Sequence, residues 1–312
     1  MKAFFKPAVE SRYRTPESLR AITANYCVAL LPVVIVGCYA FGFRAIRVLL
    51  ASIIASVASE YFFERLMKRS ITTMDGTALL TGLLLGLCLP AEVPLYVPIL
   101  GGIFATVIVV HCFGGYGAHI INPVLVSRCF LLISFKDVMT AYVVDGMSMA
   151  TPLSVMRSGG TTDLWQMFLY NPKAGCIGEA SVLALLIGAL FLIVARKISV
   201  ITPVVYLAVF TAVVCLFGGN TSPHYLLSQL LGGGLLFAAF FFATDRVTSP
   251  VGIAGKVIYG VLLGAVTGIY RLLGTNTEGV SYAVIFCNLL VPLIDKFFAP
   301  KVQPVEEKEA QR

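Results

Sequence analysis

Residues 75–90 read DGTALLTGLLLGLCLP. The run is almost wholly apolar, yet its helical part, Thr77 to Leu89, would extend only ~20 Å at ~1.5 Å per residue. A hydrocarbon layer of ~30 Å cannot be crossed by so short a helix unaided. Such a segment is either the core helix of a soluble protein or an interrupted element of a membrane protein. Composition decides between them. Hydrophobic residues make up 58% of the 312, charged residues only 12%, and the mean hydropathy is +0.89. No soluble domain of this length needs so much apolar surface. The chain reads as an all-α integral membrane protein.

Working outward from 75–90, ten apolar spans are predicted at 21–43, 45–63, 77–90, 95–112, 118–135, 178–195, 200–219, 225–243, 255–271 and 280–297. Residues 1–20 are mostly polar and no small-residue cleavage site follows the first run, so the first span is expected to be retained. The basic residues orient the spans. With the N-terminus inside, sixteen Lys and Arg fall on the cytoplasmic side against six outside (Arg44, Arg47, Lys136, Arg157, Lys173 and Arg271), with Arg128 inside a span. The chain then divides into a cytoplasmic segment 1–20, a first transmembrane half 21–135, an outer loop 136–177, a second half 178–297 and a cytoplasmic tail 298–312. The expected location is a bacterial cytoplasmic (inner) membrane, crossed many times, with both termini cytoplasmic.

The short run has a counterpart. GGGLLFAAFFFATDRVTSP, residues 232–250, also ends on proline, about 160 residues after Pro90. Each run is followed by an apolar span, a Gly-rich or polar turn (114–123; 274–280) and a last span. With five spans per half, the halves would lie in opposite orientations. Inverted repeats with short or Gly/Pro-broken helices are an architecture for moving a polar species through the membrane midplane. The fold expectation is therefore about ten transmembrane helices in two inverted five-helix repeats.

The net charge of +7 reads as topological anchoring and not as a nucleic-acid surface, since the basic residues flank apolar segments and are not interleaved with aromatics as a base-stacking surface requires. The eight cysteines lie in or beside apolar runs without a CxxC pair, so no iron–sulfur or zinc site follows from local spacing. Glu60, Arg128, Glu278 and Asp295 fall within or at the edges of spans, and each needs a partner or a wet cavity. Glu278 opens the last span, where capping and an ion-path role are both open. Asp295 reads as an interfacial pair with Lys296 or as part of an ion path. His111 and His119 flank the GG and NP turns with no acid beside them in sequence, so they read as backbone hydrogen-bonding groups and no metal site is expected. Asn122-Pro123 reads as a helix break exposing carbonyls to a cavity. GxSxG, HExxH and P-loop motifs are absent, so no catalytic residue is assigned.

One stretch stands apart from the oil: DGMSMATPLS, residues 145–154, on the outer loop. Pro152 restricts Thr151 to extended conformations and presents its hydroxyl outward. Asp145 can accept hydrogen bonds that shape the turn, and the small Ser148 and Ala150 leave the backbone accessible. Asp145 to Thr151 resembles the flavinylation motif D-x-x-[S/T]-x-[A/S]-T. The whole chain resembles the D-type membrane component of the Rnf ion-translocating electron-transport complex, a family related to the B-type component of the sodium-translocating NADH:quinone reductase. That resemblance is carried by MDGTALLTGLLLGLCLP (74–90), GGYGAHIINP (114–123), SMATPLS (148–154), GCIGEASVLALLIG (175–188), ATDRVTSP (243–250) and EGVSYAVIFCNLLVPLID (278–295).

The resemblance implies FMN joined to Thr151 as a phosphoester by a flavin transferase, with Asp145, Ser148, Ala150 and Pro152 framing it. It implies electrons passing from ferredoxin- or NADH-linked partner subunits, coupled to Na⁺ or H⁺ movement. Partners would be the other Rnf complex subunits, of the A, B, C, E and G types, together with membrane lipid. Glu278 and Asp295 match acids implicated in sodium uptake in the related reductase. A noncovalent riboflavin is a further implied cofactor that no residue identifies. The competing reading is a cofactor-free channel or secondary transporter on the same bundle, with a bland scaffold protein as a third; DGMSMATPLS separates them, because neither has a reason to keep it.

Overall fold

A computed structural model describes residues 19–144, 147–148, 151–158, 160, 162–171, 175–219, 221–274 and 279–298. Helices occupy each of the apolar stretches. The first half holds α1 (Leu19–Phe41), α2 (Phe43–Leu66), α3 (Thr77–Leu87), α4 (Tyr96–Ile103, continuing as a π-helix over Phe104–His111) and α5 (Pro123–Ser134). The segment between the halves carries α6 (Lys136–Thr140), a two-residue antiparallel ladder of β1 (Val143–Val144) with β2 (Met147–Ser148), α7 (Pro152–Arg157) and α8 (Leu164–Leu169). The second half holds α9 (Val182–Val194), α10 (Ile201–Phe217), α11 (Pro223–Leu231), α12 (Leu235–Phe237, continuing as a π-helix over Ala238–Phe242), α13 (Ile253–Leu273) and α14 (Gly279–Phe298).

Among the described residues, α1, α2, α13 and α14 are each long and apolar enough to cross a membrane. The pair α11–α12 makes a fifth such element, bent by 58° at Gly232–Gly234. The remaining apolar helices run 10–17 residues. The expected span at 118–135 is shorter than predicted: its helix starts only at Pro123, because Asn122 caps it. Outward faces are apolar, as on α1, where Val28, Leu31 and Ile35 are exposed while Ala29, Leu30 and Val33 between them are buried. In water such a continuous apolar surface would be a liability; against lipid it is the expected exterior.

The short α3 is explained by what surrounds it. Gly82 through Leu89 are all buried by protein, so the helix does not have to span lipid on its own. It lies on α2, where glycines allow the backbones to meet. A Cβ at Gly82 would stand 2.7 Å from Ile53 Cα and 2.8 Å from the Ser52 carbonyl oxygen. Ser52 Oγ donates to the Gly82 carbonyl at 2.7 Å, which is the small-residue, hydroxyl-linked packing that membrane helices use. The second half repeats the device. Gly260, Gly264 and Gly268 of α13 lie on α10, and a Cβ at Gly264 would meet Val209 Cβ at 2.7 Å and Phe210 N and the Tyr206 carbonyl oxygen at 2.8 Å.

The packing partners pair off between the halves. α2 packs on α4 as α10 does on α13, and α4 packs on α5 as α13 does on α14; across the halves α1 meets α9 and α5 meets α14. Gly264→Val is expected to force α10 and α13 apart and to cost about 1–3 kcal/mol. Thermal unfolding in detergent checks this: the midpoint should fall for Gly264→Val and stay put for the exposed Leu273→Ala.

Candidate functional site

The β1–β2 ladder turns the connecting segment back on itself ahead of Thr151. Asp145 and Ala150 lie outside the described residues, and Ser148 contributes its backbone to the ladder, paired with Val143. Thr151 is extended (φ −63°, ψ 152°) and is the N-cap of α7, with Pro152 at the first helical position. Both features follow from the Thr-Pro pair: proline holds the preceding residue extended and suits the first helical turn. Thr151 Oγ1 accepts from Ser154 N at 3.2 Å, while Ser154 Oγ donates to the Thr151 carbonyl at 2.8 Å. Thr151 is half-buried and lines a small cleft of about 40 Å³ with Tyr142, Met167, Asn171, Glu179 and Gly232.

The floor of this cleft is the break between α11 and α12. Gly233 and Gly234 adopt φ of +65° and +66°, which glycine reaches without a steric penalty. The break frees carbonyls at the end of α11, and Arg271 of α13 answers them. Its guanidinium donates to the carbonyls of Gln229, Gly232 (3.2 Å) and Gly233 (3.3 Å), and it lies over the Phe210 ring at 5.1 Å. The sequence counted Arg271 among the outer topological anchors. The structure adds that Arg271 is only 6% exposed, because a broken helix offers buried carbonyls and a cation satisfies several at once. A side chain at Gly233 would also strike it, since a Cβ there would stand 2.7 Å from Arg271 Nη2.

Below the floor, groups from both halves converge. Arg128 of α5 is buried, with Nη1 donating to Ser281 Oγ at 3.3 Å and Nη2 to Cys176 Sγ at 3.1 Å. Arg128, Cys176, Ser281 and the two glycines line a second, smaller cleft together with Glu179, which also lines the cleft of Thr151. Glu179 thus links the two. Sequence reasoning did not single out Glu179, Cys176, Asn171 or Tyr142. The available signal was weak: an acid and a cysteine three residues apart in the GCIGEAS turn, just before an apolar span.

A larger cavity, about 420 Å³, lies apart from this column, lined by residues including Thr23, Tyr26, Thr81, Tyr116, His119 and Asn122. The helix break expected at Asn122-Pro123 is present, since α5 starts at Pro123 and both residues line this cavity. The Asn122 side chain caps α5, accepting from Val124 N at 3.0 Å and Leu125 N at 3.3 Å, because an Asn before Pro at the first helical position is a natural N-cap. Of the acids expected on an ion path, Glu278 lies outside the described residues. Asp295 is buried, and its Oδ1 accepts from Val251 N at 3.1 Å, so it ties the loop after the second π-helix to α14. The expectation that His111 stands away from acids is overturned: its Nε2 lies 3.7 Å from Glu60 Oε1. Sequence distance hid a neighbour that helix packing supplies.

A profile of the NQR2, RnfD, RnfE family matches residues 8–303. The chain is 39% identical over 310 residues to the D-type component of the Na⁺-translocating ferredoxin:NAD⁺ oxidoreductase complex of Acetobacterium woodii, covering 96% of this chain and 95% of that one. It is 36% identical over 320 residues to the D-type component of the proton-translocating ferredoxin:NAD⁺ oxidoreductase complex of Clostridium ljungdahlii, covering 96% of each. It is also 32% identical over 348 residues to the D-type component of the ion-translocating oxidoreductase complex of Vibrio cholerae, covering 96% and 99%.

Removal of the Arg271 guanidinium leaves buried carbonyls unanswered. Arg271→Ala is expected to lower stability by about 2–4 kcal/mol and to open the α11–α12 break, read as faster amide hydrogen exchange at 229–238 than in the parent protein.

Proposed function

The chain belongs to the NQR2, RnfD, RnfE family, and from that premise we propose that it is the D-type membrane component of an ion-translocating oxidoreductase complex, carrying FMN on Thr151. Ten crossings in two inverted five-helix repeats are the topology we infer, supported by the matched helix pairings of the two halves and by a short helix in the first half where the second has a bent pair. Residues 136–177 then face outward and both termini face the cytoplasm, in keeping with the distribution of Lys and Arg. Partner subunits of the A, B, C, E and G types, a flavin transferase and the lipid of the inner membrane complete the setting.

The observation that carries this reading is the seating of Thr151. Its Oγ1 serves as an acceptor in the cap, a bond that needs the oxygen's lone pair and not the hydroxyl proton. Replacing that proton by phosphorus therefore leaves the cap and α7 in place, so this residue fits a phosphoester. Pro152 holds the extended backbone, while Asp145, Ser148 and Ala150 are the residues that the flavinylation motif assigns to this loop. When bound, FMN supplies one- and two-electron transfer between partner carriers linked to ferredoxin or NADH. The chain's own part is to fix the tether, to hold the cleft floor through Arg271, and to keep the buried Arg128 in contact with Ser281 and Cys176 beneath it. The cavity of about 420 Å³ falls within the ~300–1,000 Å³ range of small-molecule sites. Its apolar walls, tyrosines and His119 suit the ring system of a noncovalent riboflavin. The names of the relatives divide between Na⁺ and protons, so the coupling ion is left as either, with Glu278 and Asp295 on its path.

Two measurements test this. The denatured band of protein made in cells with the flavin transferase should fluoresce yellow-green under ultraviolet light, and Thr151→Ala should abolish it. A dark wild-type band would instead favour the cofactor-free transporter. Glu278→Gln and Asp295→Asn in the assembled complex should lower ion-coupled turnover about tenfold or more with the flavin still attached; unchanged ion dependence would return both acids to capping roles.

A further inference from the structure

Glu60 and Glu64 stand one helical turn apart on α2, and His111 closes the π-helical part of α4 against that face. All three are buried, with 3%, 2% and 5% exposure. One ligand atom from each lies within 4.8 Å of the other two. This places two carboxylates and an imidazole together, far from the threonine cleft in sequence and on different elements of the first half.

Their hydrogen bonding is uneven. Glu64 is held in place: it accepts from Thr72 N at 2.9 Å, from the Thr72 hydroxyl, and from the Thr73 hydroxyl at 3.4 Å. His111 is held differently, by its ring stacked on Phe63 with centroids 5.0 Å apart. Yet among the described residues Glu60 Oε2 and both ring nitrogens of His111 are buried without a hydrogen-bond partner. A buried polar atom left so is costly, and a carboxylate more costly still. The 3.7 Å between His111 Nε2 and Glu60 Oε1 is too long for a direct hydrogen bond. It does fit two ligands of one ion, since atoms ~2.1 Å from a tetrahedral centre stand roughly 3.4 Å apart.

The donor set and the charge select the ion. An imidazole nitrogen suits Zn²⁺ and its first-row neighbours, whereas Na⁺, Mg²⁺ and Ca²⁺ prefer all-oxygen shells. Two carboxylates and a neutral imidazole carry two negative charges, which a divalent ion cancels and a monovalent one does not. Neutrality matters most where the dielectric is low. We propose that Glu60, Glu64 and His111 form a buried site for a divalent transition-metal ion of the Zn²⁺ class, clamping α2 to the π-helical part of α4. The site owes nothing to the flavin and stands or falls separately from it.

The full-length protein, purified in detergent and stripped with a chelator, is incubated with ZnCl₂, desalted and analysed for metal. Glu60→Gln, His111→Gln and, as a control remote from the cluster, His224→Gln are treated alike. The wild type and His224→Gln should each retain about one ion per chain, and the two cluster variants should bind at least about tenfold more weakly. Co²⁺ in place of Zn²⁺ should give visible d–d bands without a thiolate charge-transfer band, which separates this cluster from the eight free cysteines. Zn²⁺ should raise the unfolding midpoint of the wild type and not that of Glu60→Gln, which preserves side-chain size should His111→Gln fold poorly. Equal retention in wild type and both variants, a thiolate band, or displacement of Zn²⁺ by excess Na⁺ would each overturn the proposal.

Discussion

A backbone in hydrocarbon has no water to satisfy its N–H and C=O groups, and every departure from a helix must be answered by protein. This chain departs often: after α3, before α5, between α11 and α12, and again before α13. Each departure has a named answer. The Leu89 carbonyl accepts from Ile177 N at 3.0 Å, so the segment between the halves docks on the end of the short helix. Asn122 caps α5, Arg271 gathers the carbonyls at the end of α11, and Asp295 receives Val251 N. The buried polar side chains are thus where the irregular backbone requires them, and the clefts lie beside the same irregularities.

Close packing depends on small residues in the same way. Hydrocarbon offers no hydrophobic drive to press helices together, so contact area and hydroxyl bonds must do it. Gly82 and Gly102 against α2, and Gly260, Gly264 and Gly268 against α10, let backbones approach to distances that a Cβ would forbid. Ser52 and Ser127 donate to the Gly82 and Gly101 carbonyls at 2.7 Å. That tight packing rigidifies the platform on which the broken helices sit, and it leaves the threonine cleft, the Arg128 cleft and the large cavity as the open space.

The threonine cleft joins two levels of the molecule. Its rim is local chemistry, a Thr-Pro cap on a short helix. Its floor is a long-range construction, in which α13 reaches across to hold the end of α11 and Glu179 lines both this cleft and that of the buried Arg128. A tethered redox group at the rim would therefore lie directly over polar side chains drawn from both halves, and this arrangement is what makes a coupling role for the bundle physically coherent.

What the sequence by itself determined was whatever local pattern controls. Apolar runs located the helices to within a few residues, the brevity of 75–90 marked a helix too short to cross lipid unaided, and Thr151-Pro152 marked an extended residue ahead of a helix. These are properties of hydropathy, helix rise and proline sterics, all of which act over a few residues. What only the tertiary structure decided was which polar groups meet. Arg271 read as a topological anchor and is a buried clamp; His111 read as isolated and faces Glu60; Glu179 drew no notice and lines two clefts. Those pairings arise between helices whose register depends on side-chain packing across tens of residues, and one-dimensional periodicity carries no record of it.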